Sequence, residues 1–102
     1  MLDDVTTPLM MTGWYWDKSY KGWFLLANSG EMLTGWQKVS GLWYYLYPET
    51  TNSTVKGMMA TGWLKDNGKW YYLDPSKGYM YTGTHVIDGK SYTFDSSGAL
   101  IS

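Results

Sequence analysis

Aromatic rings are the most abundant side chains in this sequence that could bind a ligand. The 102 residues include 7 Trp, 10 Tyr and 2 Phe, which together make up 19% of the chain. A chain this short has little core volume, because it buries only about 60–70% of its unfolded surface. We therefore expect many rings near the surface, where the face of a ring attracts cations.

Groups that would support catalysis or bind a metal are scarce by comparison. The sequence has no cysteine, and its single histidine, His85, has no carboxylate at a motif spacing from it. The aspartates Asp74, Asp95 and Asp3-Asp4 fall at second-turn positions, where hydrogen bonding within a turn explains them. The glycines mark hairpin turns and form no phosphate-binding loop. The sequence predicts a protein that is not an enzyme and that has no catalytic residue, no metal site and no cofactor.

The charge and hydropathy of the chain argue against two classes of partner. The formal net charge is −1 and the lysines are scattered, so there is no basic stripe of the kind that binds nucleic acids. No apolar run is long enough to span a membrane, and the N-terminus lacks the layout of a secretory signal. We expect neither a nucleic-acid partner nor a membrane span.

A repeat organises the chain. The pair Thr-Gly recurs at spacings of 22, 27 and 21 residues, as Thr12-Gly13, Thr34-Gly35, Thr61-Gly62 and Thr82-Gly83. A Met stands three residues before each of these glycines, and a Trp follows the first three pairs. The long spacing contains a polar, turn-forming insertion at 48–55. A fixed period of this length is typical of a repeat array.

The period divides the single repeat domain, 1–102, into five segments. They are a truncated half repeat, 1–11, three full repeats, 12–33, 34–60 and 61–81, and a degenerate capping repeat, 82–102. Met1 therefore opens either a fragment of a longer protein or an internal start that yields a separate binding subunit. A truncated first repeat exposes aromatic surface, so we predict a homo-oligomer or association with a longer form of the same protein.

Each full repeat is predicted to be a β-hairpin followed by a second turn. In the third repeat, Asn67-Gly68 is typical of a two-residue type I′ turn, in which both residues need positive φ. This turn pairs Trp63 with Tyr72 and, because side chains alternate along a strand, sets Tyr71 on the opposite face. A lone hairpin is marginally stable in water, so neighbouring units must pack on one another. We predict an all-β solenoid of tandem β-hairpin repeats.

The order Gly-Trp, turn, Trp-Tyr-Tyr-Leu, second turn and Gly-x-Met-x-Thr-Gly-Trp closely resembles the cell-wall-binding repeat of the choline-binding proteins. The resemblance covers nearly the whole chain in three consecutive copies. It implies a left-handed solenoid in which the choline headgroups of teichoic acids bind between consecutive hairpins. It also implies an extracellular module at the bacterial cell wall, which targets an autolysin or a phage endolysin to its substrate.

In that family each pocket takes two Trp from one hairpin, an aromatic residue from the next and a nearby Met. The resemblance then implies three pockets, which are Trp36, Trp43, Tyr72 and Met59; Trp14, Trp23, Tyr45 and Met32; and Trp63, Trp70, Tyr92 and Met80. Thr93 and Leu25 stand where the pattern has Tyr. A quaternary ammonium cannot donate a conventional hydrogen bond, so ring faces, each worth roughly 0.5–2 kcal/mol, must hold it.

Two other functions remain open on the sequence. One is a carbohydrate-binding repeat module, since related aromatic repeats in glucosyltransferases and clostridial toxins bind glycans. Sugars need polar side chains beside the rings, and the predicted aromatic faces offer few. The other is a structural spacer or oligomerisation element, in which the rings serve only as sheet-forming core residues.

Overall fold

The computed structural model describes residues 13–102, and within them the chain forms eight short strands and no helix. The strands are β1 (Gly13–Asp17), β2 (Gly22–Leu26), β3 (Gly35–Val39), β4 (Leu42–Leu46), β5 (Gly62–Asp66), β6 (Lys69–Leu73), β7 (Gly83–Ile87) and β8 (Lys90–Phe94). Each odd-numbered strand pairs with the next strand in a separate two-stranded sheet. The predicted fold class, an all-β array of tandem hairpins, is confirmed.

Turn chemistry explains where the hairpins reverse. The turns Ser40-Gly41, Asn67-Gly68 and Asp88-Gly89 have positive φ at both residues, as a type I′ turn requires. The first hairpin has a longer turn, between Asp17 and Gly22. There the Asp17 carboxylate accepts hydrogen bonds from the backbone N–H groups of Ser19 and Tyr20, at 2.8 and 3.1 Å.

The strand register decides which side chains share a face. In the third hairpin Trp63 pairs with Tyr72 and Lys65 pairs with Trp70, as the turn predicted. In the first hairpin the corresponding pairs are Trp14 with Leu25 and Trp16 with Trp23. Trp16 therefore holds the place that Lys65 holds two hairpins later.

The second turn of each repeat is fixed by an aspartate or by a β-bridge. Asp74 accepts backbone hydrogen bonds from Ser76 and Lys77, and Asp95 accepts them from Ser97 and Ala99. Isolated bridges then join the end of a hairpin to the following Met or Leu, as Leu26–Met32, Leu73–Met80 and Phe94–Leu100. The predicted turn role of Asp74 and Asp95 is confirmed, while Asp3-Asp4 lie outside the described residues.

The chain divides into two compact units. The first comprises Met1–Gly35, described from residue 13 onward, with Leu46–Met58; the second comprises Trp36–Tyr45 and Met59–Ser102. The core of the first is small and consists of Phe24, Leu25 and Leu46. The core of the second consists of Ala60, Leu73, Ile87, Phe94 and Ala99. The repeat boundaries stay a prediction, and the half repeat 1–11 lies outside the described residues.

Across residues 13–102, no helical segment has the length and hydropathy of a membrane span.

Candidate functional site

Two consecutive hairpins of the second unit enclose a ring-lined cavity of about 330 Å³. Its lining consists of Trp36, Trp43, Tyr71, Met80 and Ser97. Trp36 comes from β3, Trp43 from β4 and Tyr71 from β6. The Trp36 and Tyr71 rings meet edge to face, with centroids 5.0 Å apart at 60°. We call the group Trp36, Trp43, Tyr71 and Met80 the Trp36 cage.

The tyrosine of this cage differs from the predicted one. The resemblance grouped Tyr72 with Trp36 and Trp43. In the structure the centroid of the Tyr72 ring lies 5.0 Å from that of Trp63, in its own hairpin, and 5.1 Å from that of Tyr81. A hairpin faces its preceding and following neighbours with opposite sides. A ring that contacts the Trp pair of the preceding hairpin must therefore lie on the face opposite to the Trp pair of its own hairpin. In the third hairpin, strand alternation places Tyr71 on that face. Alternation alone contained the signal.

The methionine of this cage also differs from the predicted one. The backbone N–H of Met80 donates to the carbonyl of Trp43 at 2.8 Å, which fixes Met80 at the cage wall. Met59, the predicted wall, instead has its thioether against Gly78. The cage is thus closed by the Met that follows the second of its two hairpins.

A second cavity of about 330 Å³ repeats this arrangement one hairpin later, lined by Trp63, Trp70 and Leu100. The ring centroid of Tyr92 lies 4.9 Å from that of Trp63. The backbone N–H of Leu100 donates to the carbonyl of Trp70 at 2.8 Å, as Met80 does to Trp43. We call Trp63, Trp70, Tyr92 and Leu100 the Trp63 cage. Three of these residues were grouped from the sequence, and Leu100 stands where Met80 was predicted.

The Thr93 mismatch does not affect the Trp63 cage. Thr93 pairs with Thr84 across the last hairpin, and their hydroxyl oxygens are 3.1 Å apart. This pair occupies the positions of Tyr72 and Trp63 in the third hairpin. Tyr92, on the opposite face of β8, is the residue that corresponds to Tyr71.

The predicted pocket of the first repeat has its residues in both units. Trp14, Trp23 and Met32 belong to the first unit and Tyr45 to the second. Within the first unit, Trp16 and Trp23 meet edge to face at 5.3 Å, and Trp16 is 46% exposed. In the second unit, Tyr45 lies 5.0 Å from Trp36. The grouping of Trp14, Trp23, Tyr45 and Met32 stays a prediction.

Two carboxylates, those of Asp66 and Asp95, act on the Trp36 cage. The indole Nε1–H of Trp36 donates to the Asp66 carboxylate at 3.1 Å. Burial raises the pKa of the Tyr71 hydroxyl, and the negative charges of Asp66 and Asp95 raise it further. Both carboxylates therefore act electrostatically on the cage, where their field favours a positively charged ligand. Asp66 could not be found from the sequence, because an aspartate at the end of a strand belongs to no motif.

Lysines lie over the rings of the Trp63 cage. The Lys65 ammonium is 5.8 Å from the centroid of Trp70, and the Lys90 ammonium is 5.7 Å from that of Tyr92. In β7, buried Ile87 occupies the strand position that Asp66 has in β5. The two cages thus have similar rings and volumes but differ in local charge.

The single histidine of the chain, His85, is not among the lining residues of either cage. The ring of His85 stacks on Tyr81 with centroids 4.2 Å apart, and its Nε2–H donates to the Thr82 carbonyl at 2.8 Å. In the part of the chain that the structure describes, no three His, Cys, Asp or Glu side chains form a group that could hold a metal ion. The walls of the two cages are aromatic rings with a thioether or an aliphatic side chain.

Comparison with known proteins supports this architecture. The family model of the choline-binding repeat matches residues 33–84. Choline binding protein F from Streptococcus pneumoniae is 46% identical with a TM-score of 0.79, over 90% of this chain and 28% of that chain. The multimodular pneumococcal cell wall endolysin from phage Cp-1, solved in complex with choline, is 34% identical with a TM-score of 0.72, over 98% of this chain and 27% of that one. A comparison with curated proteins gave no match.

The match to the family model extends over just over half of the chain. The chain itself spans less than a third of the length of the two solved proteins. The matched residues, 33–84, include the hairpins β3–β4 and β5–β6. This chain belongs to the choline-binding repeat family.

Proposed function

We propose that this protein is a non-catalytic module that binds choline in its ring cages. The observation that carries the proposal is the Trp36 cage, in which three rings and a thioether surround about 330 Å³ beside the Asp66 carboxylate. A trimethylammonium group has no N–H to donate, so its binding energy comes from ring faces at roughly 0.5–2 kcal/mol each. Three rings correspond to affinity on the order of millimolar for each cage.

The composition of the cage wall supports a cation over a sugar. Apart from the rings and Met80, the lining of the Trp36 cage contains only Ser97, whose hydroxyl donates to Asp95 at 2.7 Å. A sugar buried there would lose hydrogen bonds to water and regain few, at about 1–3 kcal/mol for each unsatisfied group. A quaternary ammonium has no such groups to satisfy.

The natural ligand, in this proposal, is the choline of teichoic or lipoteichoic acid, and the site of action is the extracellular bacterial cell wall. One solved relative is a cell wall endolysin complexed with choline, which supports a role in anchoring a lytic enzyme to its substrate. Weak sites in series gain avidity on a polymer with many headgroups, because each binding event raises the effective concentration for the next.

Self-association, or association with a longer form of the same protein, belongs to the same proposal. The side chains of Val86 and Ile101 are 73% and 63% exposed and are therefore available for contact with another chain. Light scattering across a range of protein concentrations tests this part, and a constant monomer mass would contradict it.

Titration of tryptophan fluorescence with choline tests the function. We expect saturable changes in the millimolar range for the wild type, and one binding site fewer in Trp43→Ala, which removes one wall of the Trp36 cage. Trp70→Ala is the matched variant for the Trp63 cage and should leave the Trp36 cage intact. If choline at tens of millimolar changed neither emission nor thermal stability of the wild type, the proposal would be wrong.

A further inference from the structure

A cavity of about 580 Å³ lies in the first unit, and its described lining residues are all different from those of the two ring cages. Its lining consists of Tyr15, Asp17, Tyr20, Phe24, Leu26, Met32, Thr50, Val55 and Lys56. The rings come from the hairpin β1–β2 and its turn, and the polar wall comes from the insertion between the second and third hairpins. The volume is within the range of about 300–1,000 Å³ that is usual for small-ligand sites. The cavity is hereafter the insertion pocket.

Two departures from the repeat build the insertion pocket. The long turn of the first hairpin contributes Tyr20, and its backbone is fixed by the Asp17 carboxylate. The insertion contributes Thr50, and Lys56 follows the insertion directly; the backbone N–H of Lys56 donates to the Thr50 hydroxyl at 3.0 Å. Local hydrogen bonds therefore hold both segments in place. Among the described hairpins, only the first has the long turn, and only the second is followed by the insertion.

The wall of this pocket combines ring faces with hydrogen-bonding groups. Tyr15 and Tyr20 are 37% and 57% exposed, and the Tyr20 ring lies 6.0 Å from that of buried Phe24. Asp17, Thr50 and Lys56 line the pocket together with these rings. Carboxylate oxygens accept, the ammonium donates, and hydroxyls do both.

This combination favours a different ligand from the one that the cages favour. Lys56 and Asp17 bring opposite charges to this pocket, so it does not favour a cation as the Trp36 cage does with Asp66 beside it. A pyranose sugar is neutral, presents apolar C–H faces that stack on tyrosine rings, and carries hydroxyls that both donate and accept. The polar side chains that the cages lack are present here.

We propose that the insertion pocket is a second binding site and that its ligand is a neutral oligosaccharide stacked on Tyr20. Asp17, Lys56 and the tyrosine hydroxyls pair with the hydroxyls of the sugar. The site is independent of the choline cages, because it uses another face of another hairpin. One chain could then bind a glycan and an ammonium group at the same time.

Two-dimensional NMR of the full chain, titrated with maltotriose and separately with tri-N-acetylchitotriose, tests the proposal. We expect at least one trisaccharide to shift the backbone amides of Tyr20 and of the insertion, and the choice between them distinguishes hexose from N-acetylhexosamine glycans. Tyr20→Ala removes an exposed ring without opening the core, and it should weaken binding about tenfold, the equivalent of 1.4 kcal/mol. Lys56→Met keeps the aliphatic stem and should also weaken binding.

The matched control is Trp43→Ala, which should bind the trisaccharide as the wild type does. Saturating choline should likewise leave the sugar-dependent shifts unchanged. Absence of these shifts with both sugars at tens of millimolar would overturn the proposal. Unchanged affinity in Tyr20→Ala, or displacement of the sugar by choline, would overturn it as well. The choline titration of the Trp36 cage is read separately, so failure of one site leaves the other result intact.

Discussion

Asp66 is the residue that most clearly distinguishes the two cages. Its carboxylate accepts the indole hydrogen of Trp36 at 3.1 Å, so it both orients that ring and places a negative charge beside the cage. In the next hairpin Ile87 has neither effect, and the ammonium groups of Lys65 and Lys90 lie near the rings. We therefore expect the Trp36 cage to bind a cation more tightly than the Trp63 cage.

The substitution Asp66→Asn tests the role of charge, because an amide oxygen still accepts the hydrogen bond from Trp36. Loss of one nearby negative charge should weaken choline binding by about 1 kcal/mol, or roughly fivefold, and more at low salt. The NMR signal of the Trp36 indole N–H reports on this cage alone. Asp88→Asn is the matched control, since it removes a carboxylate from a hairpin turn that accepts Asn-Gly equally well. Equal affinity in both variants would show that the carboxylate only positions the ring.

The sequence identified the tryptophan pairs of both cages because the repeat places them at fixed spacings. It did not assign Tyr71, Met80 and Leu100, because each depends on which face of a hairpin meets which neighbour. The spacing of residues along the chain does not show which faces of two consecutive hairpins pack together. That has to be worked out from the alternation of side chains along the strands of both hairpins. Asp66 depends on a contact between residues 30 positions apart, which no local pattern marks.

At the scale of the elements, methionine side chains pack against glycines of a later second turn within each unit. The thioether of a Met lies where a Cβ would stand on a later glycine, in the pairs Met32–Gly57, Met59–Gly78 and Met80–Gly98. These glycines have φ between 80 and 89°. The recurrent Met therefore spaces the turns, whether or not it also lines a cage.

Comparison of Gly78→Ala with Gly68→Ala separates packing from backbone strain. Both glycines have positive φ, near 80°, but a Cβ on Gly68 meets nothing within 4 Å whereas one on Gly78 meets Met59. The strain alone should cost about 1–2 kcal/mol in each variant. We expect Gly78→Ala to be less stable than Gly68→Ala by at least about 1 kcal/mol in urea unfolding, because overpacking adds to the strain. Equal free energies of unfolding would contradict the packing role of Met59.

The second turn of the third repeat contains a titratable hydrogen bond. The Tyr81 hydroxyl donates to Asp74 at 2.8 Å, and this bond, together with burial, raises the pKa of Tyr81 from 10.0 to about 12. A folded-state pKa above the unfolded value means that the stabilisation is complete below pH 10 and is lost as the pH rises toward 12.

The variant Tyr81→Phe removes the donor and keeps the ring. We expect it to be less stable by about 1 kcal/mol at neutral pH and to show a smaller loss of stability between pH 10 and about 12. Tyr79→Phe, which removes a hydroxyl from the neighbouring ring, is the control and should retain the wild-type pH slope. Chemical unfolding at a series of pH values measures both effects, and matching slopes in the two variants would argue against the bond.

At the scale of the whole molecule, the sequence predicted the class of fold because one rule recurs in every repeat. Turn residues that accept positive φ stand between short runs of strand-forming aromatic residues, so each hairpin is encoded locally. The insertion pocket was not predicted, because it depends on how the insertion packs against the first hairpin. Polar, turn-forming residues mark a loop but do not indicate where the loop folds.

Two cages with different local charge imply graded occupancy of the chain. Choline that binds only the folded state stabilises it by an amount that grows with concentration and adds over sites. We expect thermal stability to rise first as the Trp36 cage fills and again as the Trp63 cage fills. In Trp43→Ala only the rise at the higher choline concentration should remain. If the rise that remains in this variant is the one at the lower concentration, this order is contradicted.

The central claim is that ring faces hold a positive charge, and choline compared with its neutral isostere 3,3-dimethylbutan-1-ol tests it most directly. The two molecules share size, shape and the terminal hydroxyl, and they differ in one charge. Equilibrium titration followed by the Trp36 indole N–H should give millimolar affinity for choline and at least about tenfold weaker affinity for the isostere. Equal affinities would contradict the claim, because they would mean that the cages recognise only an apolar shape.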